Sequence, residues 1–204
     1  MTAVVSRDDF LACVARNPFV DAVLHRAEAL DLSDWYLAAG CLFQTVWNVL
    51  DGHEPTRGIS DYDLIYFDDT DLSWEAEDEV IRSCAETFAD LPIEVEVRNQ
   101  ARVHLWYEDH FGVPCAPLRS SAEAIDRYAA HACRVGIRRS GSDLDVYAPS
   151  GFDDLFSFVV RPNPVVAPRH VYEAKTDRWS RLWPRLVIER WPQQPATAAD
   201  STRR

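Results

Sequence analysis

The chain has 204 residues, of which 47% are hydrophobic and 11% aromatic, so it can bury a substantial core and is not a disordered polymer. It carries 33 acidic and 21 basic residues, a formal net charge of -12. This excess of negative charge argues against salt-driven binding along a nucleic-acid backbone. No stretch approaches the roughly 20 apolar residues that cross a bilayer, and the start of the chain lacks a secretory signal pattern. We therefore expect a cytoplasmic protein with no membrane partner.

The first third of the chain alternates between helical and extended patterns. Apolar residues recur at helical spacing in three places, and two short runs enriched in strand-forming residues lie between turn signals. A polar loop separates the third helix from the second strand. In chain order the patterns predict two amphipathic helices, a strand, a helix and a strand, over residues 6–15, 18–30, 34–40, 41–52 and 61–67.

The remainder continues the alternation and adds a hairpin. The patterns predict a helix, a strand, two helices, a β-hairpin, a short helix with an extended piece, and a final helix interrupted near Pro184, over residues 73–89, 93–97, 101–110, 122–131, 134–149, 152–162 and 175–191. Such alternation is typical of an α/β domain, with the hairpin extending or capping its central sheet. We expect one domain over residues 1–192 and a disordered tail over residues 193–204.

The strand that contains "GISDYDLIYFD" begins with two aspartates, Asp61 and Asp63, one residue apart. Side chains alternate between the faces of a strand, so these two carboxylates point the same way. They repel each other unless a positive charge lies between them. A solvated strand entry and a divalent-metal site both account for the pair at this stage.

A second alternating strand, "IEVEV", favours the metal site. Glu94 and Glu96 share one face of this strand, so either can join Asp61 and Asp63 if the two strands are neighbours in one sheet. Three convergent carboxylates form a hard-oxygen site suited to Mg²⁺ or Mn²⁺. Most acidic residues lie in the first 130 positions, whereas basic residues outnumber acidic ones afterwards. That asymmetry fits either ordinary surface variation or an acidic metal site facing a phosphate-binding wall.

Several stretches together resemble a known family. These are "AGCLFQTVWN", "SDYDLIYFD", "VEVRNQARVHLWY", "GFDDLFSFVVRPNP" and "RWSRLWPRL", which span most of the chain from position 34 onward. The combination is similar to a bacterial nucleotidyltransferase-like family of unknown substrate within the polymerase-β-type superfamily. The resemblance implies an α/β fold with a small mixed β-sheet flanked by helices, followed by a C-terminal hairpin and helix.

The resemblance also assigns roles to individual residues. It implies that Asp61 and Asp63 are metal-binding catalytic carboxylates, with Glu96 as the third and Glu94 in reserve. Gly40 matches the glycine that cradles phosphate at a helix start, where backbone N–H groups bind anions. The superfamily usually places serine next, whereas this chain has Cys41, whose thiol is a poor replacement for a hydroxyl donor. We expect Cys41 to bind the nucleotide together with Gly40, through backbone N–H groups at the helix start.

Polar residues directly after the "IEVEV" strand are further candidates for the site. Arg98 and Asn99 begin this group and are placed to contact the base, the sugar or the acceptor. Capping of the next helix by Asn99 is the competing interpretation.

The expected function is transfer of a nucleoside monophosphate from an NTP to an unidentified acceptor, with two Mg²⁺ or Mn²⁺ ions and release of pyrophosphate. The acidic composition favours a small molecule or a protein as the acceptor and makes a long nucleic acid unlikely. Two alternatives stay open. One is a weakly active or inactive module that binds a nucleotide or a partner protein, and the other is a D-x-D glycosyltransferase.

Overall fold

The computed structural model describes residues 5–165 and 167–193. The helices are α1 (Arg7–Val14), α2 (Pro18–Ala29), α3 (Gly40–Leu50), α4 (Trp74–Phe88), α5 (Tyr107–Phe111), α6 (Ser121–Asp126), α7 (Asp153–Phe156) and α8 (Arg169–Leu182). The strands are β1 (Tyr36–Ala38), β2 (Tyr62–Tyr66), β3 (Val95–Asn99), β4 (Gly136–Ser140), β5 (Asp143–Tyr147), β6 (Val159–Val160) and β7 (Val187–Ile188). Two 3₁₀ turns lie at Gln100–Leu105 and His131–Cys133.

Five strands form one mixed sheet in the order β3-β2-β1-β4-β5. The β2–β3 pair is parallel and the other neighbours are antiparallel. The predicted hairpin is confirmed, because β4 and β5 pair next to β1 and so extend the sheet. The predicted α/β architecture, with a small mixed sheet flanked by helices, is also confirmed.

The two faces of the sheet differ in what covers them. Leu37, Leu64, Val97 and Ile137 point into the large core that the first four helices share. The opposite face carries a smaller apolar cluster around Ile65, together with the acidic residues of β2 and β3. Because one face of a strand is fully buried, the register is fixed, and the carboxylates must lie on the other face.

An aromatic cluster holds α8 against α3. Trp47 packs on Trp179 and Trp183, with ring centroids 5.8 and 5.3 Å apart. The Nε1 atom of Trp183 donates to the Oδ1 atom of Asn48 at 2.8 Å. The tryptophans of the last helix therefore fix its position over the domain.

Three predicted helices differ from those observed. The helix predicted over residues 101–110 is a 3₁₀ turn, Gln100–Leu105, followed by the short helix α5. The final helix begins at Arg169 and ends at Leu182, because Trp183 precedes a proline, and that position disfavours helical backbone. Helix α6 ends at Asp126 instead of continuing to residue 131. The side chain of Asn163 donates to the carbonyls of Asp126 and Tyr128, which diverts the chain from the helix.

Within the part of the chain that the structure describes, there is no helix with the length and apolar character that a bilayer crossing requires. The tail predicted over residues 193–204 lies outside the described residues, apart from residue 193.

Candidate active site

Three carboxylates from two neighbouring strands line one cavity. Asp63 of β2 is the register partner of Glu96 of β3, so their side chains lie side by side on the same face. Asp61 stands two residues earlier on that face. All three line a cavity of about 310 Å³. Glu94 is exposed and outside this lining, so the geometry favours Glu96 over Glu94 as the third carboxylate.

Gly40 forms the wall of the same cavity at the start of α3. The chain turns sharply from β1 into this helix through Ala39, whose φ of 55° is rare for a residue with a side chain. A Cβ atom at position 40 would lie 2.9 Å from the Nε2 atom of Gln44 and 3.8 Å from the Oδ1 atom of Asp61. Glycine therefore lets the helix start approach the carboxylates closely.

Asp63 is the most perturbed carboxylate of the site. Its pKa is raised to about 7, mainly by burial and then by the charges of Asp61 and Glu96. Lys175 and a hydrogen bond from the backbone N–H of Gly40 act in the opposite direction. Carboxylates that lie close together in a cavity repel each other when they are ionised. A divalent cation bound between them would remove this repulsion.

Cys41 is placed away from the cavity. Its side chain is fully buried in the large core, and its thiol donates to the Ala38 carbonyl at 3.5 Å. Burial, and then the charges of Asp63 and Asp61, raise the pKa of this thiol well above its usual value. Any contact of this residue with a nucleotide would therefore come from the backbone, and its nucleotide-binding role stays a prediction.

Asn99 serves the fold as the competing interpretation expected. Its Oδ1 atom accepts from the N–H groups of Asp68 and Ala101, and its Nδ2 atom donates to the Asp68 carbonyl. This side chain caps the 3₁₀ turn that follows β3 and ties it to the end of β2. Its predicted role in nucleotide binding is untested.

Arg98 lies beside the carboxylate row. It shares a strand face with Glu96, and its Nη2 atom is 2.8 Å from the Oε1 atom of Glu96. The Arg98 side chain is about half exposed, so its remaining N–H donors are accessible to a ligand at this edge. A metal ion at Glu96 would compete with Arg98 for the Oε1 atom of this carboxylate.

Four residues that the sequence did not single out for the site also line the cavity. Lys175 and Arg178 come from one face of α8, and Gln44 and Tyr128 come from α3 and the turn after α6. Lys175 is the only lysine of the chain, which is the one sequence signal that sets any of them apart. The two cations face the carboxylates from the basic half of the chain and form a wall suited to phosphate.

The residues present fit a divalent cation and a phosphorylated ligand. Gln44 is only 3% exposed, and its Oε1 atom is buried without a hydrogen-bond partner among the described residues. Buried polar atoms are rarely left unpaired unless a ligand or water completes them. Among the described residues, no three acidic, histidine or cysteine side chains are already arranged as a complete metal cage.

Comparisons with known proteins identify the family of the chain. A model of a nucleotidyltransferase family matches residues 25–188, which is well over half of the chain. The chain belongs to this nucleotidyltransferase family. The predicted resemblance is thereby confirmed, and family and fold together support nucleotide-transfer activity.

A solved structure provides the fold comparison. The chain is similar to a protein whose NMR structure is described as revealing a CCA-adding enzyme head domain, with 26% sequence identity and a TM-score of 0.73. The match covers 91% of this chain and 97% of that one. No curated protein matches the sequence significantly.

Proposed function

We propose that this nucleotidyltransferase moves a nucleoside monophosphate from an NTP to an acceptor and releases pyrophosphate. The observation that carries the proposal is the cavity in which Asp61, Asp63 and Glu96 face Lys175 and Arg178 across the start of α3. The acceptor oxygen forms a new bond to the α-phosphorus as the bond to pyrophosphate breaks, and the acceptor proton passes to a base or to water. The D-x-D glycosyltransferase alternative is not supported by the family match.

Asp61, Asp63 and Glu96 would hold Mg²⁺ or Mn²⁺, since carboxylate oxygens are the ligands that these ions prefer. When bound, divalent ions make the acceptor hydroxyl more acidic and stabilise charge on the phosphate oxygens. Lys175 and Arg178 bind the phosphates from the opposite wall and orient them. The backbone at Gly40 and the amide of Gln44 complete the contacts at the helix start.

The acceptor is a small molecule or a protein. The net charge of -12 disfavours a long nucleic acid, although the compared NMR structure is described in terms of CCA addition. A cytoplasmic site of action is consistent with five free cysteines, four of them buried.

The proposal is tested by incubating the protein with Mg²⁺, labelled NTPs and the small-molecule and protein fractions of a cell extract. We expect pyrophosphate and a labelled product with the wild type and at least a hundredfold loss with Asp61→Asn. The matched control is Asp143→Asn, because Asp143 belongs to a second D-x-D pair on the exposed hairpin. Absence of pyrophosphate with every fraction would favour the non-catalytic binding module, and full activity of Asp61→Asn would place the site elsewhere.

A further inference from the structure

A second cavity, of about 270 Å³, adjoins the first along the carboxylate row. Asp63, Glu96, Tyr128 and Lys175 line both cavities, whereas Gly40 and Asp61 line only the first. The second cavity therefore lies on the Glu96 side of the row. Its volume is slightly below the range of about 300–1,000 Å³ that is typical of small-molecule sites.

Aromatic and aliphatic side chains form most of the walls of this second cavity. Trp106, Tyr107 and Phe111 come from the segment after β3 and contact one another, with the rings of Tyr107 and Phe111 4.6 Å apart. Ile65 of β2 and Val171 of α8 line the cavity as well. Trp106 is 39% exposed, which is high for a tryptophan. Half-exposed rings around an apolar cavity are typical of a ligand site.

Two of the three cations that line the second cavity, Arg98 and Arg127, are already engaged, and the third, Lys175, is shared with the first cavity. Arg127 binds Glu123, with 2.6 Å between its Nη2 atom and Oε1, and it also donates to the Ala116 carbonyl. Arg98 is paired with Glu96. The walls therefore offer no cluster of free positive charges to a phosphate backbone.

The geometry of attack at phosphorus indicates which of the two substrates this cavity would hold. In phosphoryl transfer the attacking and leaving oxygens lie roughly in line on opposite sides of the phosphorus. In the proposed function the leaving pyrophosphate is bound by Gly40, Lys175 and Arg178, of which Gly40 and Arg178 line only the first cavity. The attacking group then comes from the far side of the carboxylate row, where Glu96 borders the second cavity.

We propose that the second cavity binds the acceptor, and that the acceptor is a small, largely apolar molecule that has a ring and a hydroxyl group. The ring packs among Trp106, Tyr107 and Phe111, and the hydroxyl faces Asp63 and Glu96. This inference rests on the proposed function for its direction of attack, but the existence of the ring-binding site can be measured separately.

The test measures binding of 2-naphthol, a fluorescent ring alcohol, and of a non-hydrolysable NTP with Mg²⁺. Val171→Trp fills the second cavity from α8, and Val187→Trp adds the same side chain at an exposed position that lines neither cavity. We expect the wild type and Val187→Trp to bind 2-naphthol and Val171→Trp to lose at least tenfold in affinity. NTP affinity should be unchanged in both variants, and 2-naphthol and NTP should bind together without competition.

A second measurement does not depend on a mutation that might fail to fold. Cys115 is the partly exposed cysteine and lines the second cavity, whereas the other four are buried. Alkylation with N-ethylmaleimide should therefore block 2-naphthol binding in the wild type and leave Cys115→Ala unaffected. Competition between 2-naphthol and NTP would reassign the cavity to the nucleobase and overturn the proposal. Equal 2-naphthol binding by wild type, Val171→Trp and alkylated protein would also overturn it, whatever the outcome for NTP turnover.

Discussion

The behaviour of Asp63 without metal follows from its position between Asp61 and Glu96. Its pKa of about 7 in the folded protein is well above the value of about 3.9 in an unfolded chain. Ionised Asp63 therefore destabilises the fold above pH 7, and this penalty disappears as the pH falls towards 4, because the native state then holds a proton that the unfolded state lacks.

We expect Asp63→Asn to stabilise the metal-free protein at pH 8. The asparagine keeps an acceptor for the Gly40 N–H but removes the buried charge. The gain in free energy of unfolding should be of the order of 1–3 kcal/mol, since one pKa unit corresponds to about 1.4 kcal/mol. Urea unfolding in EDTA at pH 8, 6 and 4 measures it. The gain should shrink to near zero at pH 4, and a gain independent of pH would contradict the assigned cause.

Gln44 gives a second test at the scale of one residue. Its buried Oε1 atom has no hydrogen-bond partner among the residues that the structure describes. Gln44→Met, which is similar in shape, should therefore leave stability unchanged or raise it by about 1 kcal/mol. The same change should weaken binding of a non-hydrolysable NTP about tenfold, because a ligand hydrogen bond is lost. Thermal melting and calorimetric titration separate the two effects. Destabilisation together with unchanged NTP affinity would show that Gln44 serves only the fold.

Some residues of the candidate site could be predicted from the sequence and others could not. The D-x-D pair was identifiable because both carboxylates must share a strand face, whatever the tertiary structure. Gln44 and Arg178 could not be assigned to the site from the sequence. A glutamine in an apolar helix and an arginine in a polar helix are ordinary until the structure shows that both line one cavity.

At the scale of elements, α8 matters because it brings Lys175 and Arg178 to the site. Its position depends on the packing of Trp179 and Trp183 on Trp47 and on the bond from Trp183 to Asn48. The side chain of Asn48 also donates to two carbonyls of the loop before β2. The same contacts therefore position the basic wall and the approach to the acidic strand.

We expect Trp183→Phe to lower the free energy of unfolding by about 1–3 kcal/mol, because the Oδ1 atom of Asn48 loses its buried donor. The phenyl ring keeps most of the aromatic packing, so the fold should persist. If the substitution also shifts α8, the affinity for phosphate should fall, because Lys175 and Arg178 lie on this helix. Urea unfolding measures the first effect, and Trp191→Phe is the control, because Trp191 packs on Tyr172 near the start of α8, away from Trp183 at its end. Equal stability of wild type and Trp183→Phe would contradict this account of how α8 is held.

The elements themselves were predictable in part. Strands and helices were placed correctly where periodicity is strong, as for β2 and α4. Helix α6 was predicted too long because the contact that ends it comes from Asn163, far along the chain. The choice between Glu94 and Glu96 also needed the β2–β3 register, which depends on tertiary packing.

At the scale of the whole molecule, the fold brings acidic residues from the first part of the chain and basic residues from the last part to one cavity. The sheet presents its carboxylates on the face that the large core leaves open, and Lys175 and Arg178 of α8, from the basic half, line the cavity at these carboxylates. The fold class was predictable from the alternation of elements, whereas the strand order β3-β2-β1-β4-β5 was not, because the sequence does not specify which strands are neighbours.

The central claim is that Asp61, Asp63 and Glu96 bind the cation that accompanies the NTP. A crystal structure with Mg²⁺ and a non-hydrolysable NTP tests it most directly. We expect at least one ion about 2.0–2.1 Å from oxygens of Asp61 and Asp63, Glu96 turned from Arg98 towards the ion, and the phosphates between Gly40 and Lys175. Bound nucleotide with no ion at these carboxylates, or a nucleotide in another part of the molecule, would contradict the account.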